Sequence, residues 1–483
     1  MNKQTSPSPP HSLKRLLHKK VIPFLIVILI GFVIWIIPHP DEVSAEAWQL
    51  LAIFVATIVG VVVKPLPIGA IAIIAMSFAT LTKTLTLENV LGGFSNNVVW
   101  LVLFAFFIAR GFIRTGLGTR IAYIFVAILG KKTLGLSYGL VATEFILSPA
   151  IPSVTARAGG VVFPVLQSLA RSFGSDPEHQ TQKKIGAYLT KVIYQASVIS
   201  STMFLTAMAA NPVVVTLTKQ AGYSISWGKW ALGALVPGLI SLIFMPYFIY
   251  KIYPPQIKDT PDAPKIAKEH LSQMGPLKKE EWMMLGIFIL LLILWIFGPF
   301  LSMHATVAAM IGVSLLLILG VIHWHDVIKD DKAWNTFIWF ATLIMLASYL
   351  NNLGLVSWFS KQMVVAVGGM PWQGAFALLA FIYFYSHYFF ASNLAHVGAM
   401  YPAFLMVALG VGTPPGLAIP VLAYSSSLFG GLTHYGSGPA PLFYGSGYVS
   451  VKSWWYVALM VSFLNIIVWF GFGSIWWKLL GFW

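Results

Sequence analysis

Four short polar segments lie inside apolar stretches of the chain. They are "SPAIPSVTARAGG" at 148–160, "LTAMAANP" at 205–212, "FASNLAHVGAMYP" at 390–402 and "LTHYGSGP" at 432–439. Each combines hydroxyl, amide or basic side chains with proline or glycine, which stop or bend helices. Hydroxyls, amides and the free N–H groups of interrupted helices can all donate hydrogen bonds to the oxygens of an anion. The segments therefore predict a site for an oxyanion in an apolar environment.

The donors in these segments form the predicted site. The candidate substrate-binding residues are Ser153, Thr155, Thr206, Asn211, Ser392, Asn393, Thr433 and Ser437. The side chains that could attract an anion are Arg157, His396 and His434. Among 15 acidic residues only Glu144 falls clearly within an apolar stretch, and a cation site inside a membrane would normally need buried carboxylates. The residue types thus favour an anionic ligand.

The same residues allow structural interpretations. Arg157 could pair with Glu144 across the two arms of a hairpin, and His396 and His434 could be core histidines with protein partners. The serine and threonine hydroxyls could cap backbone groups at helix breaks. Their repetition in both halves of the chain favours a binding site.

The composition defines the solvent that surrounds these segments. Of the 483 residues 58% are hydrophobic and only 9% are charged, and the mean hydropathy is +0.80. This is typical of a helical protein that crosses a membrane many times. The chain has no cysteine, which excludes disulfides, thiolate catalysis and cysteine-ligated metals.

Hydropathy predicts about eleven transmembrane helices. They lie near residues 21–38, 47–63, 66–82, 96–113, 188–211, 230–250, 282–300, 304–321, 336–353, 417–435 and 453–477. Two further apolar stretches, about 135–168 and 374–410, carry polar tips and are predicted as re-entrant hairpins. With a cytoplasmic N-terminus, most lysines and arginines fall in cytoplasmic loops, as the positive-inside rule requires. The net charge of +15 then reports topology rather than a nucleic-acid partner, and the C-terminus is periplasmic.

The two halves of the chain share a pattern. Asn97 and Gly116 have the same spacing as Asn335 and Gly354, and the polar segments follow in the same order in each half. Because the halves start on opposite sides of the membrane, we predict two inverted five-span repeats. The predicted regions are a basic cytoplasmic N-terminus (1–20), a first helix with an outer loop (21–46), the first repeat (47–250), a cytoplasmic linker (251–281) and the second repeat (282–483). The apolar run after the N-terminus could also belong to a signal peptide, but its length favours an uncleaved helix.

The four polar segments resemble those of the divalent anion:sodium symporter family, above all its exchanger branch, which includes citrate/succinate and tartrate/succinate antiporters and the plastid 2-oxoglutarate/malate translocator. The resemblance covers nearly the whole chain after the first span. It implies a homodimer, elevator movement of a transport domain, and a di- or tricarboxylate substrate. It also implies that Ser153, Thr155, Ser392 and Asn393 contact that substrate.

The hairpin tips depart from the sodium-coupled members of that family, which carry Ser-Asn-Thr at both tips. Here Val154 and Leu394 stand in the tips, and neither side chain can form a hydrogen bond. After the first tip, the sodium-coupled members have small neutral residues where this chain has Arg157, and His396 takes the matching place in the second repeat. We hypothesise that these side chains replace bound sodium, which favours obligatory exchange and no cofactor, although sodium remains possible.

The sequence therefore predicts a carrier that exchanges organic di- or tricarboxylates across a bacterial inner membrane, with sodium-coupled uptake as the alternative. An anion channel or a membrane enzyme fits less well, because no continuous polar stripe and no set of buried catalytic carboxylates is present. The motif "HWHD" at 323–326 lacks a third converging ligand, so no metal site is predicted.

Overall fold

The structure, a computed structural model, describes residues 11–366 and 369–483. Within these ranges every regular element is a helix, and the one β-type contact is a bridge between Lys132 and Asp259. Seven of the described helices are long and apolar enough to cross a membrane: Ala45–Val63, Asn97–Thr115, Trp227–Ile252, Lys279–Phe297, Asp331–Asn352, Asn393–Gly410 and Val451–Leu479. Shorter apolar helices accompany them. The chain is an all-α polytopic membrane protein, as predicted.

The helices are numbered in chain order. The first part of the chain contains α1 (His11–Ile36), α2 (Ala45–Val63), α3 (Ile68–Leu81), α4 (Leu87–Leu91), α5 (Asn97–Thr115), α6 (Leu117–Leu129), α7 (Thr133–Leu147), α8 (Phe163–Ser172), α9 (Gly186–Met203), α10 (Ala210–Gln220), α11 (Trp227–Ile252) and α12 (Ala263–Met274). The second part contains α13 (Lys279–Phe297), α14 (Ala305–Ile318), α15 (Trp324–Ile328), α16 (Asp331–Asn352), α17 (Leu355–Ala366), α18 (Trp372–Tyr385), α19 (Asn393–Gly410), α20 (Pro415–Leu428), α21 (Ala440–Gly445), α22 (Val451–Ile466) and α23 (Gly473–Leu479).

The order of helices repeats along the chain. Helices α2, α3 and α4 have 19, 14 and 5 residues, and so do α13, α14 and α15. Each set is followed by a long helix, a shorter one, two hairpin arms and an interrupted helix. This agrees with the internal repeat seen in the sequence. The repeat borders at 47–250 and 282–483 and the cytoplasmic N-terminal region remain predictions, and residues 1–10 lie outside the described part.

The repeated glycine marks a corner between two helices. Gly116 ends α5 with φ 76°, and Gly354 separates α16 from α17 with φ 81°. This left-handed conformation costs glycine little and other residues more, which explains why glycine stands at both corners. Helices α6 and α17, which begin directly after these glycines, were not predicted. At 13 and 12 residues they are too short to span a bilayer at 1.5 Å per residue.

The region predicted as a linker between the repeats is ordered and contains α12. Arg120 on α6 donates to the Glu281 carboxylate at 2.6 Å and to the carbonyl of Gly275 at 2.9 Å, and Tyr123 stacks on His270 at 4.6 Å. The linker therefore covers the polar side of α6 and is more than a flexible connector.

The motif at 323–326 is part of a capped helix. The carboxylate of Asp326 accepts the N–H of His323 at 2.8 Å and also pairs with Arg114. Both features position α15, which agrees with a structural interpretation of the motif.

The chain divides into two compact units that do not follow the repeats. One comprises the described residues up to Phe94 together with Ile338–Trp358, and the other comprises Ser95–Phe337 and Phe359–Trp483. In the first unit, Gly93 packs so closely on α16 that a Cβ would lie 2.3 Å from the carbonyl oxygen of Ala341. All four polar segments belong to the second unit.

Two helices of the second unit are buried along most of their length. Every residue of α9 is buried, and α20 is buried from Leu417 to Leu428. Each of them leads directly into one of the polar segments, so these segments start from the interior of the unit.

Candidate substrate site

The first hairpin turns at Pro149 and Pro152. Helix α7 ends at Leu147 because proline cannot continue its hydrogen bonds, and a π-helical segment, Thr155–Val162, starts the returning arm. The hydroxyl of Ser153 accepts the N–H of Ala156 at 3.2 Å, so Ser153 caps this arm. The same hydroxyl can still donate to an acceptor.

The second hairpin repeats this arrangement. Ser392 is the N-cap of α19 and accepts the N–H of Ala395 at 3.4 Å. At both tips a serine precedes a buried basic residue by four positions. The carbonyl of Ser153 accepts the N–H of Arg157 at 2.9 Å, and that of Ser392 accepts the N–H of His396 at 3.1 Å. The two tips thus share these capping hydrogen bonds and the order of serine and basic residue, although the first arm continues as a π-helix and the second as an α-helix.

The two remaining polar segments interrupt helices, as predicted. The first break lies between α9 and α10 and contains a single 3-10 turn, Leu205–Ala207. The second follows α20, where a 3-10 turn, Phe429–Gly431, is followed by irregular backbone up to α21. Their backbone is therefore available for contacts that a continuous helix would not allow.

Thr155 and α9 reach the second break. A Cβ at Gly438 would lie 2.7 Å from the Thr155 hydroxyl, so Thr155 at the first tip packs directly against this backbone. The hydroxyl of Tyr194 on α9 donates to the carbonyl of Gly430 at 2.5 Å and lies 2.8 Å from the Ser437 hydroxyl. Ser437 therefore already has a protein partner in this state.

Asn393 and Asn211 are joined through α20. The Asn393 amide donates to the carbonyls of Ser426 and Ser427 at 3.2 and 3.3 Å. The hydroxyl of Ser427 donates in turn to the Asn211 side-chain oxygen at 2.8 Å. The second tip and the first break thus meet at one point on α20.

The two equivalent threonines of the breaks differ in their bonding. The hydroxyl of Thr206 donates to the carbonyl of Pro149 at 2.6 Å and accepts the indole N–H of Trp227 at 3.1 Å. The hydroxyl of Thr433 is buried without a hydrogen-bond partner in the described structure, and it faces the backbone at Gly436. An unsatisfied buried hydroxyl costs about 1–3 kcal/mol, so Thr433 is a candidate whose hydroxyl would gain most from a ligand.

Arg157 is fully buried and pairs with Glu144. Its Nε donates to the Glu144 carboxylate at 2.7 Å, and both side chains have no exposed surface. Nη1 donates to the carbonyls of Ile151 and Ala207 at 2.6 and 3.1 Å, and Nη2 donates to the Ser201 hydroxyl at 2.7 Å. The structural pairing left open by the sequence is therefore present, and a direct contact with a ligand would require one of these bonds to break.

His396 contacts a second buried histidine, His387, which the sequence analysis missed. Their Nδ1 atoms are 3.1 Å apart, and both side chains are fully buried. His387 follows α18 by two residues and lies in a one-turn 3-10 helix. The signal in the sequence was a histidine between aromatic residues, "YSHYFF", shortly before the tip.

His434 lies in an aromatic cluster. Its Nδ1 accepts the indole N–H of Trp455 at 3.1 Å, and its ring packs on Tyr444 at 4.6 Å. This environment matches the interpretation of His434 as a histidine with protein partners. Its predicted role in attracting an anion stays a prediction.

Within residues 11–366 and 369–483, no group of three or more histidine, cysteine, aspartate or glutamate side chains is placed to hold a metal ion. The candidate site contains hydroxyls, amides, backbone groups, the Arg157–Glu144 pair and the His387–His396 pair.

Interrupted helices and hairpin tips that meet inside a helical membrane protein are typical of secondary transporters. Over residues 18–483 the chain matches the family model described as the sodium:sulfate symporter transmembrane region. The chain belongs to this family, the divalent anion:sodium symporters, and is a transporter rather than an enzyme.

Relatives match the chain over nearly its full length. It is 54% identical over 465 residues to the putative malate transporter YflS of Bacillus subtilis, covering 96% of this chain and 97% of the relative. It is 52% identical to the chloroplastic dicarboxylate transporter 1 of Spinacia oleracea, covering 95% of this chain and 82% of the relative. It is 38% identical to the inner membrane protein YbhI of Escherichia coli, covering 97% of this chain and 99% of the relative. The crystal structure of the Alcanivorax borkumensis YdaH transporter has the same fold, with a TM-score of 0.53, 12% identity and coverage of 98% and 99%.

Proposed function

We propose that this transporter exchanges dicarboxylates or tricarboxylates, of the succinate, tartrate, citrate, malate or 2-oxoglutarate class, across the bacterial inner membrane. The names of its relatives, a putative malate transporter and a dicarboxylate transporter, support a carboxylate substrate. The donors at the two tips and the unused hydroxyl of Thr433 suit carboxylate oxygens. We place the N-terminus in the cytoplasm and the C-terminus in the periplasm.

The observation that supports exchange over sodium-coupled uptake is the presence of two buried basic side chains, one turn beyond each hairpin tip. Arg157 and His396 are both fully buried, and the polar nitrogens of each are bonded within the protein. After the first tip, where this chain has Arg157, the sodium-coupled members of the family have small neutral residues, and His396 takes the matching place in the second repeat. A site whose buried donors belong to the protein has less need of bound sodium, which is why we favour exchange over sodium-coupled uptake.

Uptake into proteoliposomes tests this proposal. Uptake of radiolabelled succinate is measured in empty vesicles and in vesicles preloaded with succinate, citrate, tartrate, malate or 2-oxoglutarate. Each measurement is made with and without a sodium gradient. Sulfate is included as a competitor. We expect uptake to require an internal carboxylate and to be independent of the sodium gradient. Sodium-driven uptake into empty vesicles would establish the alternative, a sodium-coupled dicarboxylate symporter.

We further propose that the carrier is a homodimer that moves its substrate by an elevator mechanism. The chain has no cysteine, so single cysteines can be introduced without a background signal. A cysteine replacing Ser153 should react with a membrane-impermeant thiol reagent from either side in turn, depending on which substrate gradient is applied. Accessibility from one side only, under all gradients, would contradict an elevator.

A further inference from the structure

We propose that the His387–His396 pair is a binding site for one proton, and that this proton binds together with the carboxylate substrate. The proposal rests on the proposed function in one respect, because a carboxylate is the ligand that loads the neighbouring site. Its geometric basis is independent of that function.

The two rings form a continuous hydrogen-bonded chain. His387 Nε2 lies 2.9 Å from the carbonyl oxygen of Gly436, and the Nδ1 atoms of the two histidines are 3.1 Å apart. His396 Nε2 lies 3.1 Å from the hydroxyl of Ser386. The chain therefore has a backbone acceptor at one end and a hydroxyl at the other.

The acceptor at Gly436 fixes the hydrogens of the neutral pair. A carbonyl only accepts, so His387 Nε2 carries a hydrogen and His387 Nδ1 has a lone pair. That lone pair accepts from Nδ1–H of His396, whose Nε2 is then bare and accepts from Ser386. Each contact holds one hydrogen, so the neutral arrangement is complete.

One additional proton fits, and it has one place to enter. It binds His396 Nε2, and the Ser386 hydroxyl then turns to donate to the carbonyl of Tyr383, which lies 3.0 Å away. A second proton would place two hydrogens between the Nδ1 atoms 3.1 Å apart, which that distance does not allow. The pair therefore binds one proton, shared between two rings.

Among the residues that the structure describes, those packed around the pair supply no counter-charge. Phe429 packs on His387 at 4.2 Å and on His396 at 4.3 Å, and Phe390 packs on His396 at 4.5 Å. The titratable group that faces the pair from α18 is the phenol of Tyr383, and its hydroxyl is engaged by Ser426 at 2.8 Å. From α20 and the second break the pair is faced by Phe429 and by backbone.

Aromatic faces stabilise a cation but do not neutralise it. Among the described residues neither histidine forms an ion pair with a carboxylate. The matching position in the first hairpin does have a counter-ion, because Arg157 is paired with Glu144 at 2.7 Å.

A bound anion can supply the missing charge. His396 lies in the first turn of α19, four positions after the tip serine Ser392, and His387 contacts the backbone of the break that contains Thr433. A carboxylate at these groups would stabilise the protonated pair. By linkage, the proton would increase the affinity for the carboxylate by the same factor.

Titration calorimetry on the purified full-length protein tests this coupling. Succinate binding is measured at about pH 7.5, where both of its carboxyl groups are ionised, in two buffers with different ionisation enthalpies. We expect net proton uptake of at most one per chain, and a succinate Kd that falls as pH is lowered, by up to about tenfold per pH unit. Succinate binding with no proton uptake between about pH 7 and 8 would overturn the proposal and leave the proposed function intact.

Substitutions locate the proton. In His396→Gln and His387→Gln the side chain can form hydrogen bonds but cannot titrate, so proton uptake should disappear and the succinate Kd should lose its pH dependence. The control is His304→Gln, at an exposed histidine that makes no capping bond, and it should behave like the wild type. Unchanged proton uptake in both glutamine variants would assign the proton elsewhere and overturn the proposal.

A ligand-free titration separates this proposal from the proposed function. In ¹⁵N-histidine-labelled protein without ligand, the two signals missing from the double variant His387→Gln/His396→Gln should report a neutral pair at about pH 7.5, and together they should gain at most one proton as the pH is lowered. If succinate does not bind, the proposed function fails, and this titration still decides. A proton already bound at about pH 7.5, or two added protons at lower pH, would overturn the one-proton site.

Discussion

The buried pair of Arg157 and Glu144 allows a double-mutant cycle whose outcome the structure predicts. Both side chains have no exposed surface. Removing one partner of a buried ion pair leaves an uncompensated charge and costs about 3–5 kcal/mol. Arg157→Ala should cost more than Glu144→Ala, because it also leaves the carbonyls of Ile151 and Ala207 without donors, at about 1–3 kcal/mol for each unsatisfied group.

The double variant Glu144→Ala/Arg157→Ala removes both charges. Its loss of stability should therefore be smaller than the sum of the single losses, by roughly 1–3 kcal/mol. Thermal unfolding in detergent measures all three variants. The control is Arg114→Ala at the pair with Asp326, whose side chains are 39% and 27% exposed, and which should change stability by about 0–1 kcal/mol.

Exchange activity of the reconstituted variants separates a structural role from an electrostatic one. If Arg157 acts through its pairing, the double variant should recover part of the exchange that Glu144→Ala loses. If its charge attracts the substrate, the double variant should be inactive even where it is folded. Strictly additive losses of stability would refute the reasoning, because the two residues would then not be energetically coupled.

Three further predictions concern single sites. Thr433→Val should weaken carboxylate binding measured by calorimetry and should leave the unfolding temperature unchanged or raise it, since its hydroxyl has no hydrogen-bond partner among the described residues. Thr206→Val should lower the unfolding temperature because its hydroxyl has two partners, and the opposite pattern would contradict the assignment. Gly354→Ala should destabilise the protein by about 1 kcal/mol through its left-handed φ of 81° alone, because no atom would crowd the new Cβ. The control Gly374→Ala, within α18, should not destabilise the protein. Equal unfolding temperatures for the two variants would contradict this reasoning. The backbone N–H of His323, and secondarily Arg114, hold the pKa of Asp326 below its usual range. The stability that Asp326 contributes is therefore present above about pH 4 and is lost as pH falls through the lowered pKa. Asp326→Asn should remove this part of the pH dependence of unfolding.

The sequence was sufficient for features that depend on local composition. Apolar runs located a helix within each predicted span, and proline with small polar residues located both hairpin tips and both helix breaks. These signals are strong because a bilayer tolerates neither exposed backbone nor isolated polar side chains. The paired Gly116 and Gly354 were visible as a repeat, but their role as corners before α6 and α17 was not, since hydropathy does not reveal a short helix that changes direction.

Side-chain partners were decided by the tertiary structure. The sequence left two interpretations of Arg157 open, and only the fold brings Glu144, Ile151, Ala207 and Ser201 around it at once. The structure likewise distinguishes Thr433 from Thr206, although their sequence contexts match.

What the sequence by itself determined is the solvent of the protein, its repeat and the polar character of its interior. What only the tertiary structure decided is which polar groups are already bonded to the protein and which are free for a ligand. His387 shows the reason most clearly, because its partners at His396 and Gly436 lie 9 and 49 positions away along the chain. No local sequence pattern encodes such a contact between distant positions, since it arises only when separate helices pack against each other.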